Sequence, residues 1–276
     1  MGYGFFGKVL WVDLTNDSFR EEEVPEKIYR QFMGGYGLGC RLLYERMSSH
    51  IKPLSPESII GFFPGLLTST AAPYSGRCMV VGKSPLTGTW GDANCGGNLG
   101  PAIKACGYDG IMVIGKSKNP KYISVISNII KILDATDIWG KDVIETEKIL
   151  KKRHGSSIKT AGIGQAGEKL SKISGIVNDR GRIAARSGLG AVMGSKNLKT
   201  IVLNGNKKAE IFNREKFYGL IKEYNKAARM KPLNSMKKSF LGEMFGMVKS
   251  MRRLKIGSID APNLMRTIYR NFGTSI

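Results

Sequence analysis

Short apolar runs, most of them stopped by a glycine-bearing bend, recur through the first 205 residues, and this pattern limits the fold more than any other feature. KVLWVDL (8–14), SIIGFF (58–63), RCMVVG (77–82), GIMVIG (110–115), TAGI (160–163), ISGIV (173–177) and TIVL (200–203) are too short for core helices. They read as strands, and 121–127 with 129–133 reads as a hairpin. Helical spacing is rarer. It appears in 26–47, where glycines interrupt it, and in KDVIETEKILKKR (141–153), where acids lead and bases follow as a helix dipole prefers. It appears again after 211, where Asn213 is placed to cap FNREKFYGLIKEYNKAARM. The expected class is α+β, a strand-rich body with a helical tail, and no internal repeat is visible in the sequence.

Twelve of the 35 glycines lie between Gly61 and Gly115, and three glycine-bearing bends also carry arginine or asparagine: TAAPYSGR ending at Arg77, GDANCGGNLG at 91–100, and NDRGRIAARSGLGAVMGSKNLK at 178–199. Glycine lets backbone N–H groups approach a ligand, and arginine forks suit phosphate oxygens. These bends read as a cradle for a large phosphate-bearing cofactor, or else as ordinary tight turns with solvated arginines. GIGQAG (162–167) matches a dinucleotide-binding pattern, but too few residues separate it from the next strand for a crossover helix, and Asp179 falls too early.

Lys and Arg number 43 against 22 Asp and Glu, a formal charge of +21. Residues 210–276 hold 14 of those bases and 5 of the acids. A basic surface suits an anionic ligand. No aromatic RNA-binding signature and no long basic block is present, which argues against nucleic acid. The four cysteines (Cys40, Cys78, Cys95, Cys106) form no C-x-x-C pair, and His50 and His154 are the only histidines, so a closed zinc site is not expected. No apolar run approaches the ~20 residues of a membrane helix. The start has Asp13 and no small-residue cleavage site, so the expected location is the cytoplasm.

Several blocks taken together, in order, resemble the N-terminal part of the aldehyde ferredoxin oxidoreductase family of tungsten (or molybdenum) pterin enzymes. They are KVLWVDL, PLSPES, GLLTSTAAPYSGR, KSPLTG, DANCGGNLGPAIKACGYDGI, IWGKDVIETE, GQAGE and NDRGRIAARSGLGAVMGSKNLKTIVLNG. A looser likeness runs on to APNLMRTIYRNFGT. The resemblance implies a β-sheet-rich pterin-binding domain over 1–208 and the start of a helical second domain over 209–276. It implies two pyranopterins holding one tungsten or molybdenum through dithiolene sulfurs, with magnesium bridging their phosphates. Arg77 then falls where a pterin phosphate is held, Asn94 and Gly96 at pterin contacts, and Arg182, Ile183 and Ala185 on the second pterin loop. The magnesium falls near the backbones of Asn94 and Ile183.

The implied reaction is aldehyde plus water to carboxylic acid, with electrons leaving through a 4Fe-4S cluster to ferredoxin. The family's cluster cysteines have no counterpart in this chain, so the expectation is a chain inactive alone, whose partner is a separate chain carrying the cluster domains. The alternatives are a non-catalytic truncated product or a basic module that binds an anion or nucleic acid. The chain departs from the family at Arg180-Gly181, at Ile183, Ala185 and Ser187, where small residues are usual, and at Cys95, where serine is usual. Bulk at Ile183 and Ala185 is expected to crowd a cofactor.

Overall fold

The computed structural model describes residues 3–230. The first compact unit, Met1–Tyr218, contains two six-stranded sheets. The first sheet is built from β1 (Lys8–Asp13), β2 (Ser18–Glu23), β3 (Ile60–Pro64), β4 (Cys78–Lys83), β5 (Trp90–Cys95) and β6 (Gly110–Ile114). The second is built from β7 (Lys121–Ile126), β8 (Ile129–Asp134), β9 (Lys159–Gly162), β10 (Ile176–Asn178), β11 (Arg182–Ala184) and β12 (Leu198–Asn204). The helices are α1 (Glu26–Phe32), α2 (Tyr36–Arg46), α3 (Leu99–Ala105), α4 (Val143–His154), α5 (Gln165–Glu168), α6 (Leu189–Ser195) and α7 (Arg214–Met230).

The strand orders are β2-β1-β6-β3-β4-β5 and β8-β7-β12-β9-β10-β11. Counted from the first strand of each half, these are the same order. The pairing directions repeat as well: β1–β6 and β7–β12 are parallel and every other pair is antiparallel. The two halves therefore repeat one topology, which the sequence did not make visible. What the two copies share at residue level is slight. Leu99-Gly100 and Leu189-Gly190 open α3 and α6, and each helix ends on a left-handed residue, Gly107 (φ 87°) and Asn197 (φ 56°). A topological repeat with so few identical side chains leaves no periodicity for the eye to find.

Both faces of the central strands are buried. On β1, Leu10 and Val12 face a core shared by both sheets, with α3 and α6 packed inside it, while Val9 and Trp11 face an outer layer under α1 and α2. The second sheet buries Tyr122 and Val202 with Ile138 and Leu150 of the α4 side. The layers are thus helix, sheet, helix, sheet, helix. Some glycines serve packing here rather than turning. A methyl group added to Gly39 or Gly61 would lie 2.9 or 2.5 Å from the ring of fully buried Phe63, and one on Gly110 would also strike it. Full burial of one such side chain stabilises by about 1.5–3 kcal/mol, and the three glycines make room for it.

Most expected strands are present, α7 is capped by Asn213 as its sequence suggests, and α4 starts on a cap from Asp142. The Asp142 carboxylate accepts from the N–H groups of Ile144 and Glu145 at 2.8 Å, and the Asn213 side chain accepts from that of Lys216 at 2.9 Å. GIGQAG joins β9 to its antiparallel neighbour β10 with only the single turn of α5 between, as the dismissal of a dinucleotide site requires. Two of the three expected bends hold more regular structure than their sequences suggest: 91–100 contains most of β5 and the start of α3, and 178–199 contains β11 and α6. The segment APNLMRTIYRNFGT lies outside the described residues.

Candidate functional site

The site lies where the corresponding edges of the two sheets, β5 and β11, meet. On the first-sheet side, the bend before β4 is tied by buried Thr68, whose hydroxyl donates to the carbonyl of Ser75 (2.5 Å), while Gly65 N–H donates to the carbonyl of Arg77 (3.2 Å). This fixes the backbone of Arg77 and leaves its side chain exposed. On the second-sheet side, the turn between β10 and β11 carries Asp179 and Arg180, both in the left-handed region (φ 48° and 62°), and delivers Arg182 at the start of β11.

The two arginines converge on Gly96. A methyl group there would sit 3.3 Å from Arg77 Nη1 and 3.8 Å from Arg182 Nη1. The adjacent Gly97 (φ 92°) has no room for a side chain either, because an added methyl would meet Asn178 Oδ1 at 2.7 Å and Arg182 Cγ at 3.1 Å. The result is a bare backbone floor beneath two guanidinium groups, a donor set suited to a multiply charged oxyanion.

Asp179 locks the two sides together. Its carboxylate accepts from Asn98 N–H at 2.6 Å and from the Asn98 side-chain amide at 3.1 and 3.2 Å. In the sequence, Asp179 reads only as an ill-placed nucleotide-binding acid. Its role as a strut depends on two segments 81 positions apart, and no local pattern marks it. Arg180, another arginine of the expected cradle, is turned aside: its Nε lies 3.4 Å from Glu147 of α4.

Asn94 sits two residues before Gly96 on β5, exposed, with its amide 3.0 Å from the sulfur of Met79. Ile183 is 49% exposed and its side chain leans on Gly175, where an added methyl would be 2.6 Å from Ile183 Cγ2. Ala185, in the loop beyond β11, has its Cα 3.3 Å from the same point. The structure thus gathers Arg77, Gly96 and Arg182 tightly and sets Asn94, Ile183 and Ala185 on the strands and loop that carry them. Among the described residues, no group of three or more His, Cys, Asp or Glu is disposed to hold a metal ion.

The profile of the aldehyde ferredoxin oxidoreductase N-terminal domain matches residues 9–205, which contain both sheets and the whole site. The chain belongs to the aldehyde ferredoxin oxidoreductase family. Similar members include the tungsten-containing aldehyde ferredoxin oxidoreductase of Pyrococcus furiosus, 44% identical over 232 residues, covering 84% of this chain and 38% of the relative. The WOR-like subunit of an aliphatic sulfonate oxidoreductase from the same organism is 33% identical over 247 residues, covering 80% of this chain and 38% of that protein. Among solved structures, the active-site complex BamBC of benzoyl coenzyme A reductase, in complex with 1,5-dienoyl-CoA, superimposes with a TM-score of 0.81 at 34% identity, over 85% of this chain and 36% of that one. The chain therefore spans somewhat more than a third of the length of the oxidoreductases it matches. The family assignment agrees with the resemblance read from the sequence, and the two-sheet α+β architecture agrees with the expected fold class.

Proposed function

We propose that this chain is the pterin-binding base of an aldehyde ferredoxin oxidoreductase-type enzyme, and that its cofactor is a tungsten (or molybdenum) bis-pyranopterin. The convergence of Arg77 and Arg182 above Gly96 carries this reading, because it offers forked cationic donors and open backbone to phosphate groups at the junction of two like halves. Arg77 and Arg182 hold the phosphates. Asn94 and Gly96 meet one pterin, and Ile183 and Ala185 meet the other. The backbones of Asn94 and Ile183 would hold a magnesium ion that offsets the phosphate charge. The lean of the Ile183 side chain onto Gly175 supports contact through its backbone. When bound, the cofactor supplies two-electron oxidation chemistry at a metal held by its own dithiolene sulfurs. The chain's part is to bind and orient it and to keep the phosphates neutralised.

In this reading residues 1–208 are the pterin-binding domain and 209–276 open a helical second domain. The reaction of the whole enzyme is aldehyde plus water to carboxylic acid in the cytoplasm. Electrons reach ferredoxin through a 4Fe-4S cluster whose ligands lie on further polypeptide, and the chain by itself does not turn over. Membership of a family whose members are named for different substrates supports leaving the aldehyde unspecified.

The test is tungsten and pterin content of the chain purified from a tungstate-supplied host able to make the cofactor, with a viologen-coupled aldehyde assay beside it. Cofactor retained by the native chain, and depleted in an Arg77→Ala/Arg182→Ala variant of unchanged fold, is the expected result. Cofactor content unaffected by that double substitution would remove the proposal, and aldehyde turnover by the chain alone would remove its second part.

A further inference from the structure

Cys78 and Cys95 are direct partners across the antiparallel β4–β5 pair. Opposite residues on such a pair have Cα atoms about 4.5–5.5 Å apart and side chains on one face, which lies within the span a disulfide bridges. Both thiols face the shared core, 1% and 2% exposed, and the Cys95 Sγ–H points to the Cys78 carbonyl at 3.7 Å. Neither is bonded to another sulfur. Each adjoins the site in sequence: Cys78 follows Arg77 and Cys95 precedes Gly96.

We propose that Cys78 and Cys95 form an oxidisable dithiol that closes to a disulfide directly beneath the arginine cradle, with hydrogen peroxide as the oxidant. The sulfur of Cys95 attacks one peroxide oxygen, the O–O bond breaks, and water leaves as Cys95 becomes a sulfenic acid. The sulfur of Cys78 then attacks the Cys95 sulfur, the S–O bond breaks, and a second water carries away the remaining oxygen and the Cys78 proton. Two thiols and one peroxide give one disulfide and two waters.

Buried thiols are ordinarily inert, but the surroundings of this pair set the order of events. Cys95, on the outermost strand beside exposed Asn94, is the sulfur that meets peroxide first, and Cys78, one strand further in, is the resolving one. Access comes from position. Cys95 lies between exposed Asn94 and the glycine pair 96–97, where β5 meets β11 under the open cradle, so a small local opening there admits a molecule the size of peroxide.

The full chain is treated with hydrogen peroxide under native conditions and followed by intact mass and non-reducing peptide mapping. Loss of two hydrogens, with a single Cys78–Cys95 crosslinked peptide, is expected. In a Cys78→Ser variant the reaction stops at the sulfenic acid, so a dimedone adduct accumulates on Cys95. In Cys95→Ser no adduct and no crosslink forms on Cys78 on the same timescale. If either variant fails to fold, the wild-type map decides alone. No crosslink in the folded protein, oxygen gained without a crosslink, a bond to Cys40 or Cys106, or dimedone captured first by Cys78 would each overturn the proposal.

Discussion

The two halves of the chain share one strand order and differ in nearly every polar group set on it. At the start of its fourth strand the first half carries Arg77, whereas the second half carries Gly175, on which Ile183 rests. Ninety positions apart in the sequence, Asp109 at the start of β6 and Lys199 in β12 occupy like places with opposite charges. Asp109 is buried against Lys104 and accepts from the Tyr29 hydroxyl and the N–H groups of Phe6 and Gly7, each at 2.8 Å. Lys199 is buried against Glu168 (2.5 Å) and donates to the Lys141 carbonyl at 2.7 Å. The comparison teaches that the two halves share an apolar scaffold, while each has its own ionic pin and its own share of the cradle.

The largest effect expected from breaking this comparison is in stability. Asp109→Ala strands Lys104 and three further donors, and Glu168→Ala strands Lys199. Each should cost about 3–5 kcal/mol in urea unfolding, since removing one partner leaves a buried charge uncompensated. If one half tolerated its substitution at under about 1 kcal/mol, the two pins would not be equivalent in weight.

The second effect belongs to one half only. Lys196 at the end of α6 is fully buried with carbonyl acceptors alone, from Ser58 (2.5 Å), Pro56 (3.2 Å) and Gly115 (3.2 Å), and burial lowers its pKa to about 8. The counterpart ninety positions earlier is Cys106, which burial moves the other way, up to about 11. Because the folded lysine loses its proton before the unfolded one, the unfolded chain binds more protons between pH 8 and the ordinary lysine value of 10.5, and stability should rise over that window. The integrated contribution is about 3 kcal/mol by the linkage relation. Unfolding free energies at pH 7.5 and pH 10, native against Lys196→Met, should show this slope in the native chain and its loss in the variant.

Third, Arg77→Ala and Arg182→Ala should each weaken inorganic pyrophosphate binding by about tenfold or more in calorimetry, as loss of a charge-assisted hydrogen bond predicts. Their stabilities should stay within about 0.5 kcal/mol of native, since both side chains are exposed. A sharply unequal pair would mean that the cradle belongs to one half. Smallest of all, Arg180→Ala removes a largely exposed guanidinium from buried Glu147, which keeps Lys151, and should change stability by under about 1 kcal/mol, leaving pyrophosphate affinity unchanged.

Much of this architecture could be read from residue order alone, because the central strands are apolar on both faces and stop at glycine. What escaped has a physical reason in each case. β2, SFREEE, is a charged outer strand with almost no buried position, so it shows neither alternation nor an apolar run. α3 and α6, LGPAIKA and LGAVMGS, are seven-residue helices of mostly small residues packed inside the shared core, and helical periodicity needs a solvent face to be seen. At the site, Arg77, Gly96 and Arg182 stand out as arginine and glycine in bends. Asp179 and the Cys78–Cys95 pair matter only through partners distant in sequence, and the structure alone reveals them.

The meeting of β5 and β11 has a consequence beyond ligand binding. A terminal strand is a template on which a stray chain can lengthen a sheet, and folded proteins suppress it by cover or by charge. Here the inner border of each sheet is screened by that of its twin, and at the far border of the first sheet β2 presents Arg20 and three consecutive glutamates. The seam that gathers the arginines therefore also guards two borders against intermolecular stacking, so a change that pried the halves apart would invite aggregation as well as loss of the site.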